Sequence, residues 1–435
     1  MPYAKWTKRP KLAVVIVIDQ CRSDFLTRYE GKMNRGKTGG LKMLMEKGAY
    51  FPFARYDILQ SMTCPGHATV LTGAYPYQMG IPLNDWYDVN AKKEVYCASD
   101  VDSPIVGREA KPEEGMSPRK LGTTTVGDEL KTAGLGTKVV GIALKDRSAI
   151  MMAGHRADLA LWVEDGQWVT SKYYRPDGAL PDWVLPLNTN LKKDRPDENA
   201  MATPFGVRAT TAAAIEALRK MKLGRSSGTD ILAISYSSHD MLGHAVGLQS
   251  PKMEEMTLAE NESIGELIRA VDKEVGLQNV VFAFTGDHGV APAVEVVKPL
   301  GLPAGYLENK VILEELNQHL EAKWGKSDKG KWILKARSWN YYLNPEVIAD
   351  RKRDRVEVEN EVKARILSGP TAGGSRDGVK YVFTRSDWEN RKLPPGQFER
   401  QIMKTYIVGK SGDVVIIPKP NWVDKGPFAT HMTGY

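Results

Sequence analysis

Cysteine is scarce in this chain: three in 435 residues, at Cys21, Cys64 and Cys97. Three are too few for a disulfide framework. They leave open one bridge with a free thiol, or no bridge at all, so they fix no redox compartment. No apolar run approaches the roughly 18 residues that a membrane-spanning helix needs, and no such helix is expected. Internal repeats and low-complexity tracts are also missing, which excludes solenoid and fibrous classes. The net charge is +7, yet the basic residues form no terminal arm and no stretch interleaved with aromatics. A nucleic-acid partner is therefore not expected. Dispersed positive charge of this kind suits a solvated surface or the attraction of small anions.

What remains is the composition of an ordinary globular protein, 42% hydrophobic and 26% charged. The length allows one large α/β domain with insertions, or two to three ordinary domains. Four continuous apolar runs read as buried strands of a parallel sheet: residues 12–19, 137–144, 230–237 and 279–287. Helical patterns lie between them, at residues 40–50, 124–134, 207–221 and 258–276. This alternation argues for an α/β fold with a mainly parallel central sheet flanked by helices. The basic start MPYAKWTKRPKLAVVIVIDQ lacks a small-residue cleavage site and runs straight into Asp19. It reads as the first strand, with any export signal removed before this chain begins. Residues 85–122, 154–205 and 300–410 break the rhythm and read as inserted cap segments on a single catalytic domain. Trp86, Trp162, Trp168 and Trp183 fall among them, and are expected to be core of a small cap more than lining of an entrance.

In open α/β sheets, ligands gather beyond the carboxyl ends of the strands. Asp19 stands there after the first apolar run, and Lys145 and Arg147 after the second. His239, Asp240 and His244 follow the third, and Asp287 and His288 the fourth. Any one of these acids has a plain use as a helix cap; their convergence on one edge does not. Acids and imidazoles in such numbers suit zinc, which takes three to four O/N ligands and keeps a position open. Asp240 and His244 are one helical turn apart. Asp287 and His288 are adjacent, so they require a turn, which Gly286 and Gly289 supply. His431 lies near the end, in FATHMTGY. Two metals about 4 Å apart need roughly this many ligands, and would stabilise both attacking and leaving oxygens of a phosphoryl transfer.

The stretch QSMTCPGHATVLTG, residues 60–73, adds a nucleophile. Pro65 suits the first turn of a helix, which places Thr63 at or near the N-cap. Free N–H groups and the helix dipole favour anions there. Beside a metal, the Thr63 hydroxyl becomes an activated nucleophile under a phosphate. Cys64 points elsewhere and reads as packing.

Taken together, VIDQCRSD, SMTCPGHATVLTG, HDMLGHAVG, TGDHGVAP and ATHMTG resemble the alkaline phosphatase superfamily, in its order and over almost the whole chain. The resemblance is closest to the phosphate-irrepressible alkaline phosphatases with a Thr nucleophile. It implies two zinc ions, one held by Asp240, His244 and His431, the other by Asp19, Asp287, His288 and the Thr63 oxygen. It implies that Thr63 attacks phosphorus to form a phosphothreonine, which water then hydrolyses. It also implies that Lys145 and Arg147, from LKDRS, and Asn84, from PLNDWYD, bind the non-bridging phosphoryl oxygens. A monoester dianion presents three charged oxygens, whereas a diester replaces one with an ester group. Two cations and an amide donor thus favour monoesters.

The sulfatases of the superfamily carry Cys or Ser followed by x-Pro-x-Arg. Here Thr63 and His67 stand at the first and last of those positions, which disfavours a sulfatase. Phosphoglycerate mutases, with Ser and manganese, fit less well too. The family normally continues through one more strand and loop beyond His431, so a C-terminus that is incomplete is expected. The expected activity is zinc-dependent hydrolysis of small phosphate monoesters, releasing inorganic phosphate, with an alkaline optimum because zinc lowers the pKa of bound water to around 7. Export to the periplasm or medium follows from the resemblance. The alternatives are a phosphodiesterase or nucleotide pyrophosphatase on the same fold, and a metal- or phosphate-binding protein without turnover.

Overall fold

The structure is a computed structural model, and it describes residues 9–33, 39–111, 113–368 and 376–431. They form two compact units. The first comprises the described residues within 1–55, 66–74 and 98–289, and the second those within 56–65, 75–97 and 290–435.

The first unit is built on an eight-stranded sheet. The strands Val280–Gly286, Leu12–Ile18, Asp230–Tyr236, Val139–Ala143 and Leu159–Glu164 lie side by side in that order, all parallel. Gln167–Ser171, Ser99–Val106 and Gly115–Met116 extend the sheet antiparallel. The expected α/β fold with a mainly parallel, helix-flanked sheet is therefore what the chain adopts. Asp230–Tyr236 and Val139–Ala143 are buried along their whole length. That is why their sequences are continuously apolar instead of alternating. Val280–Gly286 pairs only with Leu12–Ile18 and forms the sheet edge, and most of its residues are only partly covered.

Two helices show how local chemistry sets their bounds. Pro204–Lys220 starts on Thr203, whose hydroxyl accepts from Phe205 N. Pro251–Val275 starts on Ser250, whose hydroxyl accepts from Lys252 N, and stops at Gly276 with φ +82°. In both, Pro fills the first helical position, where its missing N–H is unneeded. The two helices pack on each other.

The second unit contains a four-stranded antiparallel sheet, ordered Ile333–Arg337, Asn340–Leu343, Val414–Pro418, Val379–Thr384. Its core gathers Trp332, Trp339, Tyr341, Leu343, Val414 and Ile416 with Met62 and Leu83. A hairpin of Asp85–Asp88 and Lys93–Tyr96 follows Asn84. Trp86, Trp162 and Trp168 are buried, and Trp183 is half-buried. Trp162 and Trp168 stand in strands of the large sheet, in the Leu159–Glu164 and Gln167–Ser171 pair. Among the described residues no helix is long and apolar enough to cross a membrane.

Candidate active site

Four adjacent parallel strands end on the residues singled out above. Asp19 follows Ile18, Asp287 follows Gly286, Lys145 comes two residues after Ala143, and Asp240 lies in the helix Ser238–Val246 just after Tyr236. Because these strands are parallel neighbours, their carboxyl ends coincide in space, and the sheet itself assembles the site. Asp19, Lys145, Arg147, Asp240, His244, Asp287 and His288 thus belong to the first unit. Thr63, Asn84 and His431 belong to the second.

In the first unit, Asp19, Asp240 and Asp287 are all buried. Lys145 Nζ donates to Asp19 Oδ2 at 2.6 Å and also to Asp240 Oδ2. His244 Nε2 lies 3.2 Å from Asp240 Oδ1. His288 Nε2 lies 3.2 Å from Asp19 Oδ1 and 3.3 Å from Asp287 Oδ2. Asp19, Asp240 and His288 each offer a ligand atom within 4.8 Å of the others. So do Asp19, His67 and Asp287. Arg147 sits in the first turn of the helix Asp146–Ala153, half-buried. His239 turns away from this group: its Nδ1 is 3.0 Å from Glu260 Oε2, and its ring stands edge-on to Phe25.

Charge explains how so many ionisable groups share a buried site. Burial works against a charge on Lys145, and Arg147 opposes it further. Asp19 and Asp240 outweigh both and raise its pKa. Burial pushes Asp240 up, but Lys145 and His244 hold it well below the usual carboxylate range. Asp287 is likewise pushed up by burial, and is lowered on balance by His288 and His67. For His288, burial disfavours the proton while Asp287 and Asp19 favour it, and the result is about 9.

The donors fit a transition metal. His288 Nδ1 is 2.9 Å from Gly289 O. A carbonyl only accepts, so Nδ1 carries the proton and Nε2, facing the carboxylates, is the nitrogen that could ligate a metal. Metal-binding histidines are commonly oriented in this way. In the second unit His431 has the same arrangement, with Nδ1 3.0 Å from Ser61 O.

Three residues near these groups escape a reading of the sequence. Gln20 has φ +69°, in the left-handed region that long side chains rarely visit. It donates from Nε2 to Asp240 Oδ1 at 2.8 Å and from its backbone N to Asp287 Oδ1 at 2.9 Å. His67 Nδ1 lies 3.0 Å from Asp287 Oδ2, and its Nε2 lies 2.8 Å from Ser235 Oγ. The available signal for His67 is its position four residues after Thr63, one turn along the same helix. Gly66 lets that helix pass close to Asp287, for a Cβ there would lie 2.6 Å from Asp287 O.

The helix Thr63–Thr72 begins on Thr63, with Pro65 in its first turn. In the second unit Asn84 Oδ1 accepts from Cys64 N at 2.7 Å, and Asn84 O accepts from Cys97 N at 2.9 Å. Cys64 and Cys97 are joined as a disulfide, and Cys21 is free. Of the pairings the sequence leaves open, this is one bridge and one free thiol.

Acid and imidazole groups that could hold metal ions gather at the carboxyl end of the parallel sheet, as a metal-dependent hydrolase requires, and the chain belongs to the family described as type I phosphodiesterase / nucleotide pyrophosphatase, matched over residues 13–428. That family lies in the alkaline phosphatase superfamily and is metal-dependent. The chain is 30% identical to alkaline phosphatase PafA of Elizabethkingia meningoseptica, over 95% of this chain and 82% of the relative. It is 29% identical to alkaline phosphatase PhoK of Sphingomonas sp, over 97% of this chain and 81% of the relative. The crystal structure of wild-type PafA superposes with a TM-score of 0.89 at 29% identity, covering 98% of this chain and 88% of that one.

Proposed function

We propose that this protein, a phosphate-ester hydrolase by its relatives, cleaves phosphate monoesters through a covalent phosphothreonine on Thr63. The observation that carries the reading is Lys145, an amine buried between Asp19 and Asp240 with Arg147 two residues on. Two cations beside the acid–imidazole cluster suit a dianion with three charged oxygens better than a diester.

In this account Asp240, His244 and His431 would hold one zinc ion, and Asp19, Asp287, His288 and Thr63 would hold the other. When bound, the pair supplies Lewis-acid activation of the attacking and leaving oxygens. Thr63 Oγ1 bonds to phosphorus as the ester P–O bond breaks, and the proton it loses passes through solvent to the departing oxygen, which leaves as the alcohol. Water then attacks phosphorus, the Thr63 Oγ1–P bond breaks, and inorganic phosphate is released. Lys145, Arg147 and the Asn84 amide bind the non-bridging oxygens and orient the phosphoryl group for both steps. Gln20 and His67 hold the carboxylates of Asp240 and Asp287 in place. The whole chain acts as one catalytic domain, and residues about 85–122, 154–205 and 300–410 shape the range of alcohols accepted. Export, to the periplasm or the medium, belongs to the same proposal.

The family description favours a second reading, in which the same residues cleave diesters or nucleotide pyrophosphates. Lys145 and Arg147 then contribute little. The nucleophile is tested by acid-quenching enzyme mixed with an aryl phosphate and mapping the phosphorylated peptide. Phosphate on Thr63, with kcat down by about a thousandfold or more in Thr63→Ala, is expected. A Thr63→Ala enzyme that keeps its turnover would remove Thr63 from the mechanism.

A further inference from the structure

We infer that the Cys64–Cys97 disulfide is a positioning clamp, which fixes Asn84 and the segment carrying Thr63 in one geometry. The inference rests on the phosphoryl-binding role proposed above for Asn84.

Three observations converge. First, the two halves of the cystine grip the same residue from both sides: Cys64 N donates to the Asn84 side chain, and Cys97 N donates to its backbone carbonyl. Second, the bond with Cys64 consumes the amide oxygen. The side of the amide that remains for a ligand is its nitrogen, a pure donor, which is what an anionic phosphoryl oxygen requires. Third, the residues just before Thr63 and Asn84, Met62 and Leu83, are both buried in the core around Trp332 and Trp339. Each segment is therefore anchored in apolar packing on one side and tied by the cystine on the other.

The crosslink matters because the two segments are distant along the chain. Cys64 and Cys97 are 33 residues apart, and the Asp85–Tyr96 hairpin occupies much of the interval's second half. A single backbone-to-amide hydrogen bond contributes little net stability. It does not by itself fix the orientation of a side chain to the fraction of an ångström that phosphoryl transfer demands. The disulfide supplies that constraint covalently. Cys64 and Cys97 are both fully buried, so the bond is not displayed for exchange at the surface. They act through Asn84, which they hold against the segment carrying Thr63, and touch no substrate.

The test is a double-mutant cycle on zinc-loaded enzyme, read as kcat/KM for an aryl phosphate monoester. Cys97→Ser opens the clamp without altering the residue next to Thr63. It is expected to lower kcat/KM by about tenfold, and Asn84→Ala by at least as much. In the double variant, Cys97→Ser is expected to cost less than about twofold more, because its effect runs through Asn84. Bound zinc, measured by metal analysis, is expected to be unchanged in Cys97→Ser. A second arm needs no mutation. A trialkylphosphine, applied in mild denaturant that exposes the buried bond and is then removed, opens the wild-type disulfide, with the S–S bond becoming two thiols and the phosphine becoming its oxide with oxygen from water; thiol titration checks that it has opened. Activity is expected to fall by the same factor and to return on reoxidation. Full activity in the opened enzyme would overturn the inference. So would a Cys97→Ser effect that multiplies undiminished onto Asn84→Ala, since that is the mark of general destabilisation. An Asn84→Ala enzyme with unchanged monoesterase activity would instead overturn the role of Asn84 itself, and the clamp with it.

Discussion

Gln20 shows how a site is held by a residue that performs no chemistry. Its left-handed backbone is a costly conformation for a long side chain, of order 1–3 kcal/mol. The cost is offset locally, for it lets one residue reach two carboxylates, Asp240 through its amide and Asp287 through its backbone N–H. Partners of this kind orient metal ligands, and their loss typically weakens metal binding by roughly 10- to 100-fold. Gln20→Ala is therefore expected to raise the zinc dissociation constant by about that factor, measured by chelator competition. An unchanged constant would show that Asp240 and Asp287 need no such support. Gln20 is not legible in the sequence as a site residue. A glutamine after a strand has no chemical signature, and its role depends on a φ angle that the sequence does not print. The acids and imidazoles are legible because burying such groups at the end of an apolar run is costly without partners or a ligand.

Elements in the first unit are legible for a physical reason. Strands covered on both faces must be apolar throughout, and Val139–Ala143 and Asp230–Tyr236 stand out in the sequence as such continuous runs. The second unit is not legible in this way. Its strands are short and mostly antiparallel, and several of its helices are brief. The run at residues 381–386 illustrates the difficulty. It reads as one β segment, but the strand ends at Thr384. There the Thr384 hydroxyl accepts from Asp387 N while the Asp387 carboxylate accepts from Thr384 N, and this capping box starts the helix Arg385–Glu389. Local capping overrides β propensity.

The Asp85–Tyr96 hairpin depends on a similar side-chain device. Glu94 pairs with Lys335 at 2.8 Å and Arg337 at 2.8 Å on the neighbouring strand Ile333–Arg337. The Lys335 hydrogen bond, with Arg337 adding to it, lowers the Glu94 pKa against the opposing effect of burial. A depressed carboxylate stabilises the fold above the unfolded value, about 4.3, and that contribution disappears as pH falls through the folded value. Glu94→Gln is thus expected to lower Tm slightly at about pH 7, with the gap to the parent closing as pH falls through the lowered Glu94 pKa. The pair is largely exposed, so the effect is modest and weakens with salt. A Tm gap that persists at low pH would assign the loss to something other than this charge.

At the scale of the whole molecule, the functional reading draws on both compact units. The first supplies Asp19, Lys145, Arg147, Asp240, His244, Asp287 and His288. The second supplies Thr63, Asn84 and His431. Dispersed positive charge, +7 in all, agrees with a small anionic substrate. Metal removal provides a check at this scale. Dialysis against a strong zinc chelator is expected to abolish turnover and lower Tm, and zinc to restore both, because a ligand that binds only the folded state stabilises it. Turnover that survives complete zinc removal would refute the metal assignment. The family's description points to diesters, while Lys145 and Arg147 point to monoesters, and one measurement separates them most directly. It is the ratio of kcat/KM for an aryl phosphate monoester to that for the matching diester, on zinc-loaded enzyme and on Lys145→Ala. The account predicts a large ratio that falls by about 100-fold in Lys145→Ala. A ratio near or below one that Lys145→Ala leaves unchanged would contradict it, and would make the protein a diesterase.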